Sequence, residues 1–133
     1  MDAWHREIVE LHDFFEAYFL GNLAAEDVGR LQVALAGDFT FINPTGAAST
    51  RGEVEAAIVA GYSHATQLRI TITDAQLLVE SDEIVVARYV ENHEMAAASN
   101  HRISTVVFSR DEAAPNGLRW RSVHETWLEN SSG

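Results

Sequence analysis

The sequence contains no cysteine, which excludes disulfides, thiolate nucleophiles and zinc sites built from cysteine. Basic residues are also scarce: nine Lys and Arg stand against twenty Asp and Glu, giving a formal net charge of −11. A chain with this balance repels the phosphates of nucleic acid and the headgroups of an anionic membrane instead of neutralising them. We therefore expect neither nucleic acid nor a membrane surface as a partner.

Long apolar runs are missing as well. No segment approaches the roughly 20 apolar residues that a membrane-spanning helix needs. Residues 1–7 lack the basic region and apolar run of a secretory signal. We therefore expect a cytoplasmic protein.

Several motifs of enzymes and metal sites are absent. There is no G-x-S-x-G or S-x-x-K sequence for a serine nucleophile and no glycine-rich phosphate loop. The six histidines form neither H-E-x-x-H nor H-x-H, although His93 follows Glu91 at a spacing that puts both on one face of a strand. The sequence therefore predicts no metal and no cofactor, and it favours surface or hydrogen-bonded core histidines.

The residues that are present fit one globular domain. The chain has 133 residues, of which 47% are hydrophobic and 22% charged, close to the globular average. No repeat, linker or low-complexity segment divides it, so we expect a single domain over residues 1–133.

The first half of the chain has helical periodicity. Apolar residues recur at spacings of three and four, which predicts a first helix, at Trp4, Ile8, Leu11, Phe15 and Tyr18. Acidic residues that include Glu7 occupy its other side, and Gly21 ends it. Apolar spacing predicts a second helix over Val28–Leu35 and a short strand over Phe39–Asn43. Thr50-Arg51-Gly52-Glu53 has the form of a capping box and predicts the start of a third helix.

The second half of the chain alternates with a period of two. This pattern predicts four strands, at Leu68–Val79 with a bulge at Asp74-Ala75, Glu83–Met95, His101–Arg110 and Leu118–Leu128. Short connections with turn residues join them, so we expect an antiparallel meander in an α+β fold.

This order of elements resembles the nuclear transport factor 2 (NTF2)-like and ketosteroid isomerase-like superfamily, whose fold is also described as cystatin-like. The most specific stretch is Gly37–Gly46, a strand ending in x-P-x-G, followed by Arg51-Gly52 and a helix. The final strand, Trp120–Trp127, is similar to the W-x-x-x-H ending of the SnoaL-like, uncharacterised and kinase-association branches. The resemblance implies a cone-shaped, curved antiparallel sheet. Three helices from the N-terminal half would pack on its concave face, with a pocket between them.

The resemblance does not extend to the residues of a ketosteroid isomerase. That reaction needs a carboxylate base, a tyrosine and a protonated aspartic acid. The matching positions here are Asn43, Phe14 and Ser104. An amide does not accept the proton and phenylalanine has no hydroxyl, so isomerase activity is not expected, and whether the protein is an enzyme stays open.

Other polar residues point to the same predicted pocket. Tyr89, Glu91 and His93 share one face of a strand, and the resemblance implies that Arg102 and Ser104 face inward as well. It also places four residues of the last strand on the inner face, Arg121, Val123, Glu125 and Trp127. The predicted ligand-binding residues are Asn43, Tyr89, Glu91, Arg102, Ser104, Glu125, Trp127, Tyr18 and Phe41. The candidates for catalysis are Glu91, Glu125 and His93.

Two interpretations of this cluster remain open. Arg102 would bind a carboxylate or polarise a carbonyl, while Glu91 or Glu125 would act as a desolvated base with a raised pKa. Alternatively, the same residues form a structural ion-pair network across neighbouring strands.

Two functions therefore follow from the sequence. The first is a small-molecule-binding pocket protein with possible acid/base activity on an apolar carbonyl or carboxylate ligand. The second is a non-catalytic association or scaffold domain. Consecutive apolar residues in Ile84–Val86 and Val106–Phe108 indicate that both faces of the sheet are covered. We therefore expect a homodimer.

Overall fold

The computed structural model describes residues 1–128 and has the α+β architecture that the sequence predicts. Its elements in chain order are α1 (Ala3–Phe19), α2 (Gly29–Ala34), β1 (Leu35–Ile42), β2 (Ala48–Thr50), α3 (Arg51–Ala60), β3 (Leu68–Glu80), β4 (Ile84–Met95), β5 (Ser99–Arg110), a 3-10 turn (Pro115–Gly117) and β6 (Leu118–Trp127). No helix within these residues is long and apolar enough to cross a membrane.

The first helix ends where the sequence predicts. Gly21 follows it with a positive φ of 74°, a conformation that glycine adopts without a steric penalty. A Cβ atom at this position would lie 2.4 Å from the Ser63 hydroxyl oxygen. The glycine therefore permits both the reversal of the chain and its close approach to the segment after α3.

The second helix is shorter than predicted. It ends at Ala34, and Leu35 already has extended backbone angles and pairs with Trp120 of β6. The Leu35 side chain is buried against the sheet. This tertiary contact outweighs the helical pattern of the sequence, and Leu35 therefore adopts a strand conformation. The predicted strand at Phe39 accordingly begins four residues earlier.

The sheet has the strand order β2-β1-β6-β5-β4-β3 in the described part of the chain. Strands β3 to β6 form the predicted antiparallel meander, while β1 joins its end in parallel with β6. The register of β3 shifts between Thr73 and Gln76, and Asp74 has a positive φ, as expected for the predicted bulge. Such bulges bend a sheet, and the curved sheet receives the helices on one face.

The main core lies between α1 and this inner face of the sheet. Trp120, Phe108 and Tyr18 are among its largest buried side chains. Glu7 also lies here, fully buried, so its predicted position on the solvent side of α1 is wrong. Its carboxylate accepts hydrogen bonds from Arg30 and from the Trp120 indole, and these contacts satisfy the buried charge.

Candidate functional site

A cavity of about 250 Å³ lies between the inner face of the sheet and the helices. Most of its lining is apolar and comes from α1, α3 and β1, with Phe15, Ile58 and Phe41 as examples. The polar lining forms one wall, here called the polar wall, composed of His12, Tyr89, Glu91, His93, Arg102 and Glu125. A mostly apolar cavity with a few converging polar groups is typical of a small-molecule site.

The strand register builds this wall. Alternate residues of a strand point to one face, and Glu91 of β4 lies directly opposite Arg102 of β5, which lies opposite Trp127 of β6. One row along the sheet, Tyr89 pairs with Ser104 and Ser104 with Glu125. The antiparallel meander therefore brings the predicted residues of three strands into two adjacent rows.

Glu91 is held between two histidines. The buried His12 of α1 has Nδ1 at 2.7 Å from the Ile8 carbonyl oxygen and Nε2 at 2.9 Å from Glu91 Oε1. His93 Nε2 contacts the other carboxylate oxygen at 2.5 Å. A carbonyl and a carboxylate are both acceptors, so the geometry fits an imidazolium of His12 that donates from both nitrogens.

The electrostatics of this group favour a charged pair. Burial by itself lowers the pKa of His12, but the charge and hydrogen bond of Glu91 outweigh it and leave that pKa raised. Burial by itself raises the pKa of Glu91, but the contacts with His12 and His93 outweigh it and hold that pKa well below its ordinary value. Glu91 is therefore a fixed carboxylate.

Glu125 has the opposite character. Burial, followed by the neighbouring Glu91 charge, raises its pKa to about 7, although the Arg102 charge opposes the shift. The Ser104 hydroxyl donates to Oε2 at 3.2 Å. Oε1 is 3.6 Å from Arg102 Nη1, beyond hydrogen-bond distance, and no donor in residues 1–128 reaches it. A side-chain hydrogen bond with Glu91, which the carboxyl makes when it is protonated, also raises the pKa of Glu125. Glu125 thus exchanges a proton near neutral pH.

Arg102 makes its hydrogen bond and its ring contact with neutral side chains, and not with a carboxylate. Its guanidinium lies over the Trp127 ring, 4.7 Å from the ring centroid, and Nη2 donates to Asn100 Oδ1 at 2.8 Å. Its Nε atom is buried and, among the described residues, lacks a hydrogen-bond partner. In residues 1–128, Arg102 Nε therefore has no acceptor and Glu125 Oε1 has no donor.

Comparison with known proteins places this geometry in a known superfamily. No protein-family model and no curated protein matches the chain. An NTF2-like protein of unknown function from Pseudomonas aeruginosa is 28% identical, with a TM-score of 0.87 over 95% of this chain and 98% of that one. The chain belongs to the NTF2-like superfamily.

More distant NTF2-like structures share the fold alone. A candidate dehydratase of the NTF2-like family from Streptomyces avermitilis is 19% identical, with a TM-score of 0.64 over 86% of this chain and 88% of that one. The CaMKII hub from S. rosetta is 14% identical, with a TM-score of 0.69 over 92% of this chain and 95% of that one. These neighbours include both an enzyme candidate and an association domain, and they favour neither function.

The structure places the predicted ligand-binding residues of this NTF2-like protein in different environments. Five of them line the cavity, Phe41, Tyr89, Glu91, Arg102 and Glu125. Ser104 and Trp127 stand behind the lining, where they contact Glu125 and Arg102 respectively. Burial raises the pKa of Tyr89 well above its ordinary value, so its hydroxyl stays protonated. Of the catalytic candidates, His93 lines the cavity beside Glu91.

The remaining two predicted ligand-binding residues, Asn43 and Tyr18, contact neither the cavity nor its polar wall through their side-chain hydrogen bonds. The Asn43 side-chain oxygen accepts hydrogen bonds within its own turn, from Thr45 and from the Ala47 backbone, so the amide closes the turn. The Tyr18 hydroxyl donates to the Ala25 carbonyl and its ring packs in the core. Asn43 was predicted as a pocket residue by analogy and Tyr18 as an aromatic lining residue, and in each case a hydrogen-bond partner outside the cavity holds the side chain.

Arg121 also departs from the predicted inward orientation. Between β5 and β6 the register shifts, so that Phe108 pairs with Trp120 and Val107 with Ser122. This bulge inserts Arg121 as an extra residue, and its side chain is exposed and pairs with Asp38. Beyond the bulge the alternation resumes, and Val123 and Glu125 face the cavity as predicted.

His12 is the polar-wall residue that the sequence interpretation did not select. It stands four residues after Ile8 and three before Phe15, within the apolar face of α1. A histidine inside an apolar stripe must find a buried partner, which was the available signal. In the described residues, no three His, Asp or Glu side chains converge in an arrangement that holds a metal ion.

Proposed function

We propose that this NTF2-like protein binds a small, largely apolar molecule in its cavity and carries out acid/base chemistry at the polar wall. The observation that carries the proposal is the carboxyl group of Glu125. It lies buried in the cavity lining, burial and Glu91 raise its pKa to about 7, and no donor in residues 1–128 reaches one of its oxygens. A group with these properties is suited to accept or donate a proton at neutral pH.

Each polar-wall residue has a distinct role in this proposal. Glu125 exchanges the proton with a ligand atom near Oε1. Arg102, whose guanidinium is 3.6 Å from Oε1, stabilises negative charge that develops on a ligand oxygen. Glu91 is locked by His12 and His93 and keeps the pKa of Glu125 raised through its charge. The reaction class that fits is proton transfer beside a carbonyl group.

Binding and proton transfer are tested separately. Arg102→Ala and Glu91→Gln are expected to weaken ligand binding while the protein remains folded, because both remove polar groups of the cavity lining. Arg121→Ala is the matched control, since this exposed arginine pairs with Asp38 outside the cavity. Equal affinity of all three variants for a ligand found by screening would argue that the polar wall does not form the site.

Proton transfer is measured by exchange of ligand C–H groups with deuterated solvent, followed by NMR. The wild-type protein is expected to exchange protons next to the carbonyl of a bound ketone. Glu125→Gln is expected to bind the ketone and lose the exchange, since an amide does not accept the proton. Exchange that persists in Glu125→Gln would remove Glu125 from the proposed role.

Assembly through the outer face of the sheet is a second candidate function. A groove on that face is lined by residues of β4, β5 and β6 that include Ile103 and Val107. Both side chains are only half-buried although they lie in central strands. We infer that a second copy of the chain covers this face. The CaMKII hub among the solved neighbours is compatible with this role.

A further inference from the structure

Building on the proposed function, we propose that the cavity ligand is a monocarboxylate. Its carboxylate would lie between Arg102 and Glu125, and it would share a proton with Glu125. The ligand would then be an acid with a short apolar body, and its binding would be coupled to proton uptake. The proposal rests on the unpaired atoms, the charge balance and the apolar lining of the cavity.

The two buried atoms without partners define what the ligand must offer. Arg102 Nε–H is a donor without an acceptor in residues 1–128, and the protonated Glu125 carboxyl is a donor that a ligand would take over from Glu91. The guanidinium and the carboxyl are neighbours, since Nη1 is 3.6 Å from Oε1. A ligand carboxylate presents two acceptor oxygens, one for each residue, and removes the free-energy cost of leaving Arg102 Nε–H unpaired.

The charge balance of the polar wall selects an anion over a neutral or cationic ligand. The Glu91 carboxylate is neutralised by the imidazolium of His12 and also contacts His93. Arg102 has no such hydrogen-bonded carboxylate: its contacts are the Asn100 amide oxygen and the Trp127 ring. With Glu125 protonated, the partly buried positive charge of Arg102 therefore lines the cavity without a hydrogen-bonded anion. A ligand carboxylate supplies that anion, whereas an amine would add a second cation.

The rest of the cavity limits the body of the ligand. Opposite the polar wall, the lining consists of aliphatic and aromatic side chains such as Phe15, Phe41, Val54 and Ile58. At about 250 Å³ the cavity is small, and a second charged group would lie unpaired against this apolar lining. A monocarboxylate with a short aromatic or branched aliphatic body satisfies both constraints.

Binding is expected to consume protons above neutral pH. The charged and titratable groups around Glu125 come from three elements, α1, β4 and β5, and are His12, Tyr89, Glu91, His93 and Arg102. An added carboxylate raises the pKa of Glu125 further, because a second negative charge disfavours its ionised form. The proton comes from solvent and no covalent bond changes. Above pH about 7 the ligand anion and one proton therefore bind together.

The test uses isothermal titration calorimetry with three probes of one shape: phenylacetate, the neutral phenylacetamide and the cationic phenethylamine. Phenylacetate is expected to bind at least about tenfold more tightly than the other two probes. This is the change in affinity that one charge-assisted hydrogen bond typically gives. Its affinity should fall by up to about tenfold per pH unit above neutrality. Titrations in two buffers of different ionisation enthalpy should show uptake of up to one proton at about pH 8 and none at about pH 5.

Variants connect these results to the two residues. Arg102→Gln is expected to abolish the preference for phenylacetate over phenylacetamide, and the matched Arg121→Gln to preserve it. Glu125→Gln keeps a donor at the same place, so phenylacetate should still bind but without proton uptake. Should Arg102→Gln fail to fold, the comparison of probes and the proton count on the wild-type protein decide the proposal alone.

Failure of this inference can be told apart from failure of the proposed function. Equal binding of phenylacetate and phenylacetamide, or tighter binding of phenethylamine, would overturn the carboxylate proposal and leave a ligand-binding cavity. Binding of phenylacetate without proton uptake at about pH 8 would overturn the shared proton. If none of the probes binds, and butanoate, hexanoate and their amides also fail, the carboxylate proposal falls. The proposed function then depends on the wider ligand screen.

Discussion

The two buried glutamates of the polar wall, Glu91 and Glu125, differ strongly in pKa. Glu91 accepts from two histidines and its pKa lies well below the ordinary value, whereas burial and the Glu91 charge raise the pKa of Glu125 to about 7. Both side chains are almost fully buried, so burial alone does not distinguish them. The difference in pKa comes from the neighbouring side chains. They keep Glu91 ionised and allow Glu125 to exchange a proton.

The raised pKa of Glu125 predicts a pH-dependent effect on stability. The unfolded chain ionises this group near its ordinary pKa of 4.5, whereas the folded chain ionises it only at about 7. Ionising the buried group therefore destabilises the fold progressively as the pH rises between these values. Glu125→Gln is expected to stabilise the protein by roughly 1 to 3 kcal/mol at about pH 8 and to have little effect at about pH 4.

Urea unfolding at the two pH values measures this difference. The control is Glu112→Gln, which changes an exposed carboxyl in the turn before β6 and should shift stability at neither pH. A Glu125→Gln variant that is less stable than wild type at about pH 8 would show that the carboxylate is ionised and favourably paired in the fold.

Glu7 predicts a second residue-scale effect, on stability alone. Its carboxylate is fully buried and accepts from Arg30, Trp120 and Asn116, which joins α1 to three other segments. Glu7→Ala leaves the Arg30 charge and the indole N–H without their acceptor and should cost about 3 to 5 kcal/mol. Chemical denaturation measures the loss, with the half-exposed Glu10 as the control position. A loss below about 1 kcal/mol would contradict the network.

Residue positions were predictable where strand alternation determines them. Glu91, Arg102 and Glu125 lie on the cavity face because three long strands pair without interruption around them. Glu7 and His12 were not predicted as buried residues. A helical pattern indicates that polar residues are exposed, and it does not show whether a buried partner exists. Their partners are far away in sequence: Trp120 for Glu7 and Glu91 for His12.

At the scale of elements, α3 closes the cavity while depending strongly on its cap. None of its residues is buried, yet Val54 and Ile58 line the cavity. Thr50 accepts from the Glu53 backbone N–H, and the Glu53 side chain accepts from the Thr50 backbone N–H. A helix with so little buried surface relies on such local bonds more than a core helix does.

Loss of the cap is therefore expected to destabilise α3. Thr50→Ala should lower the free energy of unfolding by about 1 kcal/mol, the typical value of an N-cap. Amide hydrogen exchange should show the increase in local opening within α3, and Ser49→Ala, one residue earlier, is the control. Unchanged exchange in α3 would mean that its tertiary contacts hold the helix without the cap.

Long elements were predictable, whereas short ones depend on tertiary contacts. The first helix and the four meander strands follow from periodicity that persists over ten or more residues. The three-residue β2 has too few residues for a pattern, and pairing with β1 defines it. The apolar spacing predicts α2 but not its end, which is set where Leu35 pairs with β6. The bulge that turns Arg121 outward is likewise a property of strand pairing.

For the whole molecule, the outer face of the sheet predicts a homodimer. Val107 lies in the outer groove between the half-buried Val86 and Ser122 of the neighbouring strands. Val107→Glu is expected to convert the dimer to a folded monomer, because it places a larger, charged side chain where two copies would pack together. Val59→Glu on α3, which changes an exposed valine elsewhere, is the control.

Light scattering coupled to gel filtration measures the mass of the wild-type protein and of both variants. A wild-type monomer at tens of micromolar would contradict the dimer. A dimer that survives Val107→Glu would place the interface on another surface.

Ligand binding in the cavity is measured by a thermal-shift screen of the protein against a few hundred metabolites. The comparison protein is Ile58→Trp, which places a large ring in the cavity from a helix without buried residues. A ligand at about 100 times its dissociation constant stabilises a protein by roughly 2.7 kcal/mol, or several degrees at this size. We expect such shifts for small apolar acids or ketones with the wild-type protein and none with Ile58→Trp. A silent screen, or equal shifts in both proteins, would contradict ligand binding in the cavity.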